Sequence, residues 1–117
     1  EGAAHPTSWK TGVTFDVQTG QRLNWQDLVR PQDAKDFTLK RINNKITLSS
    51  YKLSSYFNGL TELPSNYYLD GKRNIHFLFG QYEIAPYATG IVDIDMGKPA
   101  KWVLQNAVAY GMMKRDN

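Results

Sequence analysis

Three stretches of this chain alternate residue by residue between apolar and polar side chains, and a period of two commits them to strands. In the first, Trp9, Thr11, Val13, Phe15 and Val17 share one face, with Lys10, Gly12, Thr14, Asp16 and Gln18 on the other. In the second, Ile75, Phe77 and Phe79 share a face, which places His76 on the sheet's other side. In the third, Ile91 to Met96, Val92, Ile94 and Met96 point inward and Asp93 and Asp95 outward. Strands with one buried and one polar face are the signature of an antiparallel sheet.

Such a sheet needs cover for its apolar face, and the segment between the first two strands supplies it. Leu39, Ile42, Ile46 and Leu53 fall within roughly 60° of one another at about 100° per residue, which predicts an amphipathic helix. Asp33, with Asp36 three residues later, is its expected cap, and Arg41, Lys45 and Lys52 form its solvated face. Asn24 and Asp27 make a capping pair for a one-turn helix over Trp25 to Val29, closed by Pro31. Tyr67 to Leu69, the turn Asp70-Gly71-Lys72-Arg73-Asn74 and Ile75 to Phe79 read as a hairpin. The polar run Ser54 to Asn66 reads as a connection holding an aromatic plug at Tyr56 and Phe57. Trp102 to Tyr110 fits a helix with Val103, Ala107 and Tyr110 aligned, with a strand as the alternative. The fold class is therefore α+β, an antiparallel meander packed against one longer and one or two short helices. Trp9, Val13, Phe15, Ile42, Ile46, Phe77 and Phe79 are the expected core of a single domain spanning residues 1–117.

Composition narrows the function classes. The net charge of +3 is spread along the chain without a basic block, which argues against a nucleic-acid partner. The absence of Cys removes disulfides, thiol chemistry and cysteine-ligated zinc, and is compatible with either side of a bacterial membrane. No apolar run of about 18 residues is present, so membrane contact is expected only through an anchor outside this chain.

Motifs for chemistry are sparse. His5 and His76 are the only imidazoles, about 70 residues apart, and a zinc site would need carboxylates to complete it. Asp93 and Asp95 lie on one strand face and could hold calcium or form a catalytic pair, but solvent-facing strand charges explain them more simply. Phosphate loop, nucleophile elbow and metalloprotease helix are all missing, so no catalytic residue, metal or cofactor is expected. The unusual connector is Tyr82-Glu83-Ile84-Ala85-Pro86-Tyr87-Ala88-Thr89-Gly90, where rings and a lone carboxylate replace the Asn, Asp and Gly of an ordinary turn. Glu83 there acts either as an internal brace or as a ligand contact.

That connector also carries a resemblance. Gly2-Ala3-Ala4-His5-Pro6, Phe15-Asp16, Thr19-Gly20 with Leu23 and Asp27-Leu28, Tyr68-Leu69, Phe77, the Tyr82 to Ala88 run and Gly90 occur in one order across residues 2–96. In this the chain resembles the bacterial domain of unknown function found at the C-terminal end of lysozyme-responsive anti-sigma factors and in some peptidoglycan deacetylases. The resemblance implies an extracytoplasmic, non-catalytic binding or sensing domain at the cell envelope. Its partner would be a cell-wall glycan or a wall-degrading enzyme such as lysozyme, and Tyr82, Glu83, Tyr87 and His5 are the candidate contacts. Two rival readings are a carbohydrate-active hydrolase pairing Glu83 with Asp93 or Asp95, and a purely structural accessory module. The chain departs from the family after Met96, where Gly97-Lys98-Pro99 leads into Ala100-Lys101-Trp102-Val103. Relatives also carry an upstream half before the Gly-Ala-His-Pro motif, so the chain reads as the C-terminal part of a two-part ectodomain. On that reading the Trp9 to Val17 strand lacks a neighbour and invites an edge-strand homodimer.

Overall fold

The computed structural model describes residues 8–16, 20–80, 83–101 and 107–116. Its centre is the three-stranded antiparallel meander β2 (Tyr67–Leu69), β3 (Asn74–Phe79) and β4 (Val92–Pro99), in that spatial order. Ahead of it lie the one-turn helix α1 (Trp25–Leu28), a 3-10 helix over Pro31–Phe37 and the helix α2 (Leu39–Leu48). A second 3-10 turn, Tyr87–Thr89, interrupts the connection from β3 to β4. The architecture is α+β, as the sequence periods require.

The periods converge on one core. Ile75, Phe77 and Phe79 of β3 and Val92, Ile94 and Met96 of β4 are all at most 3% exposed, and Ile42 and Ile46 of α2 reach 0% against them. Trp25 and Phe37 complete the layer, with Trp25 packed edge-on to Phe77 at 5.2 Å and 80° and stacked near Phe37 at 5.6 Å. These are the offset and edge-to-face geometries that the ring quadrupole favours. The indole N–H of Trp25 donates to the Pro64 carbonyl at 2.7 Å, and the Tyr67 hydroxyl donates to the Leu23 carbonyl at 2.5 Å. Both buried rings thereby satisfy their polar ends while pinning loops onto the core. Trp9, Val13 and Phe15 lie on a described strand, but their side chains fall outside the described residues.

Four expectations need correction. Asp33 and Asp36 do not cap α2; Pro31 starts a separate 3-10 helix that contains both, and Thr38 is the cap, its hydroxyl accepting from the Arg41 N–H at 3.3 Å. A proline's fixed φ suits a first helical position, which gave this segment its own start. Leu53 lies beyond the end of α2, although it still packs on the core. Tyr56 is not a plug, being 90% exposed, while its neighbour Phe57 does pack inward.

The fourth correction concerns the chain's far end. Residues 102–106 lie outside the description, but Ala107–Asp116 is the strand β5, not a helix. It pairs antiparallel with β1 (Ser8–Asp16) along that strand's whole length, so β1 has the neighbour it was expected to lack. Gly12 faces Met112 and Val13 faces Tyr110, leaving Gly111 as the extra residue of a bulge. A glycine weakens a helix interior and suits a bulge, and the partner strand decided between the two conformations.

Candidate functional site

Two places on this frame gather chemistry. The first is built by the connection from Ser54 to Asn66 and by the segment after β3. Asn43 of α2 holds the connection, its amide donating to the Leu60 carbonyl at 3.1 Å and its side-chain oxygen accepting from the Leu60 N–H at 2.7 Å. From the other side, the Ser54 N–H donates to the Ile84 carbonyl at 3.0 Å, and Ile84 and Ala85 are buried in the core. The connector therefore anchors itself through its apolar middle.

Glu83 is exposed, and its Oε1 accepts from the Gly80 N–H at 2.9 Å while its own N–H donates to the Gly80 carbonyl at 3.1 Å. The carboxylate thus braces the turn that leaves β3. It stands where two hollows meet. One, of about 450 Å³, is bounded by Phe57, Leu60, Glu62, Leu63, Phe79 and Glu83. The other, of about 360 Å³, is bounded by Ser54, Tyr56, Phe57, Asn58 and Glu83. Together they make an open groove with the exposed Tyr56 ring at one rim and Leu63, 46% exposed, at the other.

Of the other predicted contacts, His5 and Tyr82 lie outside the described residues, and Tyr87 is placed only as backbone in its 3-10 turn. Asp93 and Asp95 do not share the groove with Glu83; they line a separate hollow with Lys45, Leu48 and Tyr51. The groove's own second carboxylate is Glu62.

The second place centres on His76, on the polar face of the meander. Sheet register builds it: Tyr68 of β2 and Asp95 of β4 stand directly opposite His76, and Asp93 and Asp70 occupy the diagonal positions two residues away. His76 is 9% exposed. Its Nδ1 lies 2.7 Å from Asp93 Oδ1 and its Nε2 2.7 Å from Asp70 Oδ2, with Asp95 Oδ1 3.7 Å from the same Nε2. The Tyr68 ring stacks on the imidazole at 4.6 Å, and its hydroxyl donates to Asp93 Oδ2. Asp70 is held in turn by the N–H groups of Lys72 and Asn74 at 2.8 and 3.0 Å, and Asp95 by the Gly97 N–H at 2.7 Å.

Only an imidazolium donates at both nitrogens, so two flanking carboxylates match the charged ring. Burial pushes His76 toward the neutral form, but hydrogen bonds to Asp70 and Asp93 and the charges of Asp93 and Asp95 outweigh it and raise its pKa. The bond to His76 in return lowers Asp70 to about 2. Burial first, and then the hydrogen bond to Asp93, raise the Tyr68 phenol, which keeps it a donor.

Sequence reading saw the parts of this cluster and missed the whole. It put His76 and the two Asp residues on polar faces but treated the carboxylates as solvated charges. Turn residue Asp70 was the available signal, since hairpin pairing fixes its distance from His76.

No curated protein and no solved structure matches the chain. Residues 26–98 match the family described as "Protein of unknown function (DUF3298)". That span holds α2, the meander up to Lys98, the Glu83 groove and the His76 cluster, and excludes the β1–β5 ribbon. With well over half of its length matched, the chain belongs to the DUF3298 family.

Proposed function

We propose that this domain is a non-catalytic binding module of the bacterial cell envelope that takes a cell-wall glycan in the groove beside Glu83. The observation that carries the reading is the pairing, across one open groove, of an almost fully exposed tyrosine ring with a carboxylate anchored to the fold, Glu83, and a second, exposed one, Glu62. A sugar chain presents apolar C–H faces that stack on aromatic rings and hydroxyl groups that donate to carboxylates, so Tyr56, Glu62 and Glu83 offer complementary chemistry. The extracytoplasmic setting rests on the resemblance of the Tyr82 to Ala88 run to anti-sigma-factor and deacetylase accessory domains.

Turnover is not part of the proposal. Glu83 is engaged in bracing the Gly80 turn, which occupies the carboxylate that general acid-base hydrolysis would need to hold free for the scissile bond. Calorimetric titration of the protein with chitin oligomers and with solubilised peptidoglycan glycan tests the reading. Saturable binding, weakened about tenfold by Tyr56→Ala at unchanged stability, is expected for a ring contact worth roughly 1.4 kcal/mol. Absence of glycan binding alongside tight binding of lysozyme would replace the glycan by the enzyme as partner.

A further inference from the structure

We propose that Asp70, His76 and Asp95 form a binding site for a divalent ion of the zinc class, with Asp93 as the group that orients the imidazole. The proposal is independent of the glycan groove and rests on the donor set and its spacing. One oxygen of each aspartate and Nε2 of His76 lie within 4.8 Å of one another. The two separations measured from Nε2, 2.7 Å to Asp70 and 3.7 Å to Asp95, bracket the edge of about 3.3 Å expected between ligands bonded at 2.0–2.1 Å around a tetrahedral ion. Opening the Asp70 contact by roughly 0.6 Å and closing the Asp95 contact by roughly 0.4 Å bring both Nε2 separations to that edge.

The surroundings are those a ligating histidine requires. Its remaining nitrogen, Nδ1, is tied to Asp93 at 2.7 Å, and Asp93 is itself fixed by the Tyr68 hydroxyl and by its own N–H, which donates to the Tyr51 hydroxyl at 3.1 Å. A carboxylate behind the imidazole sets the ring's orientation and strengthens it as a donor. Asp70 and Asp95 are each pre-placed by backbone N–H groups on one oxygen. Asp95, with a side chain 52% exposed, opens the cluster to solvent, from which an ion and a fourth, water ligand arrive.

Charge points the same way. Three carboxylates surround one imidazole, so the cluster stays net negative even with the ring protonated. An arriving ion takes the place of the proton that Nε2 shares with Asp70; the proton leaves to solvent and the cluster's negative charge falls by one. A nitrogen donor with two carboxylates selects a first-row transition ion or zinc over calcium and magnesium, which take oxygen ligands.

The test uses the whole chain after chelator treatment, titrated with Zn²⁺ by calorimetry and with Co²⁺ by visible absorption, with His76 ring shifts followed by NMR. One equivalent binds, the His76 signals move, and excess Ca²⁺ or Mg²⁺ does not compete. Asp95→Asn, on an exposed carboxylate whose loss leaves the fold intact, weakens binding at least tenfold. Asp93→Asn weakens it about 10–100-fold through the ring's orientation. His5→Ala leaves the affinity unchanged. The proposal is overturned by the absence of 1:1 Zn²⁺ binding tighter than about 1 mM, by binding that survives Asp95→Asn, by loss of binding in His5→Ala, or by Ca²⁺ displacing the ion.

Discussion

Truncating Phe77 to Ala should remove a large part of this domain's stability. The side chain is 0% exposed on the central strand of the meander, between Tyr67 on β2 and Ile94 on β4. Two rings meet it edge-on, Trp25 at 5.2 Å and Phe37 at 6.3 Å. Deleting a buried Phe ring costs about 3–5 kcal/mol in transfer and cavity terms. Strands pinned on both sides limit collapse into the hole, and each lost ring pair is worth about 0.5–1.5 kcal/mol within that range, so the upper half, about 4–5 kcal/mol, is expected. Against a total of about 5–15 kcal/mol for a domain, that is about a quarter or more of the whole. Urea unfolding followed by circular dichroism reads it as a lowered midpoint at an unchanged m-value. Tyr56→Ala, on a 90% exposed ring, is the control and should stay within about 0.5 kcal/mol. A loss below about 1 kcal/mol for Phe77→Ala would refute the packing described here, because only a strand slipped by one residue would put that ring in water.

Stability should also depend on pH through the His76 cluster, measured by urea melts of metal-free protein. The folded pKa of His76 is raised above its ordinary 6.5, so its contribution is complete below that value and is lost as pH rises through the folded pKa; His76→Asn flattens this alkaline limb. Asp70, lowered from 3.8 to about 2, contributes fully above 3.8 and loses its contribution as pH falls through about 2. Asp33→Ala should cost about 1.5–3 kcal/mol, because the 7% exposed carboxylate bonds Arg30 Nε at 2.7 Å and lies 4.0 Å from Lys98 Nζ; a thermal melt that matches wild type would remove that pair from the account. Glu83→Gln keeps an oxygen for the Gly80 N–H and should leave both the melt and a zero rate on peptidoglycan and chitin oligomers unchanged, whereas turnover in the wild type that Glu83→Gln abolishes would establish the hydrolase reading.

Much of this fold is legible in its residues, and the failures share a cause. Ile75, Phe77 and Phe79 declare their face, and Asp70-Gly71 locates the hairpin turn, because both signals are local. The α2 stripe is equally plain at Ile42 and Ile46, yet its start was misplaced, since Asp33, Asp36 and Thr38 all offer capping oxygens and only the chain's path after Pro31 decides among them. β5 was misread because pairing with a strand some hundred residues earlier outweighed a weak helical pattern. The His76 cluster was hidden for a related reason: a long connection separates β3 from β4, so nothing local fixes the register that sets His76 opposite Asp95. The groove was half visible, through Glu83, while Tyr56 and Glu62 joined it only when Asn43 clamped Leu60.

The central claim is that the groove beside Glu83 receives a glycan, and backbone amide NMR during titration with a chitin hexamer tests it most directly. The account predicts saturable shifts confined to residues 56–65, Gly80 and residues 83–85, with the amides of Asp70, His76 and Asp95 undisturbed. Shifts that stay flat throughout the titration, or that gather on the β1–β5 ribbon or around His76 instead, would contradict it.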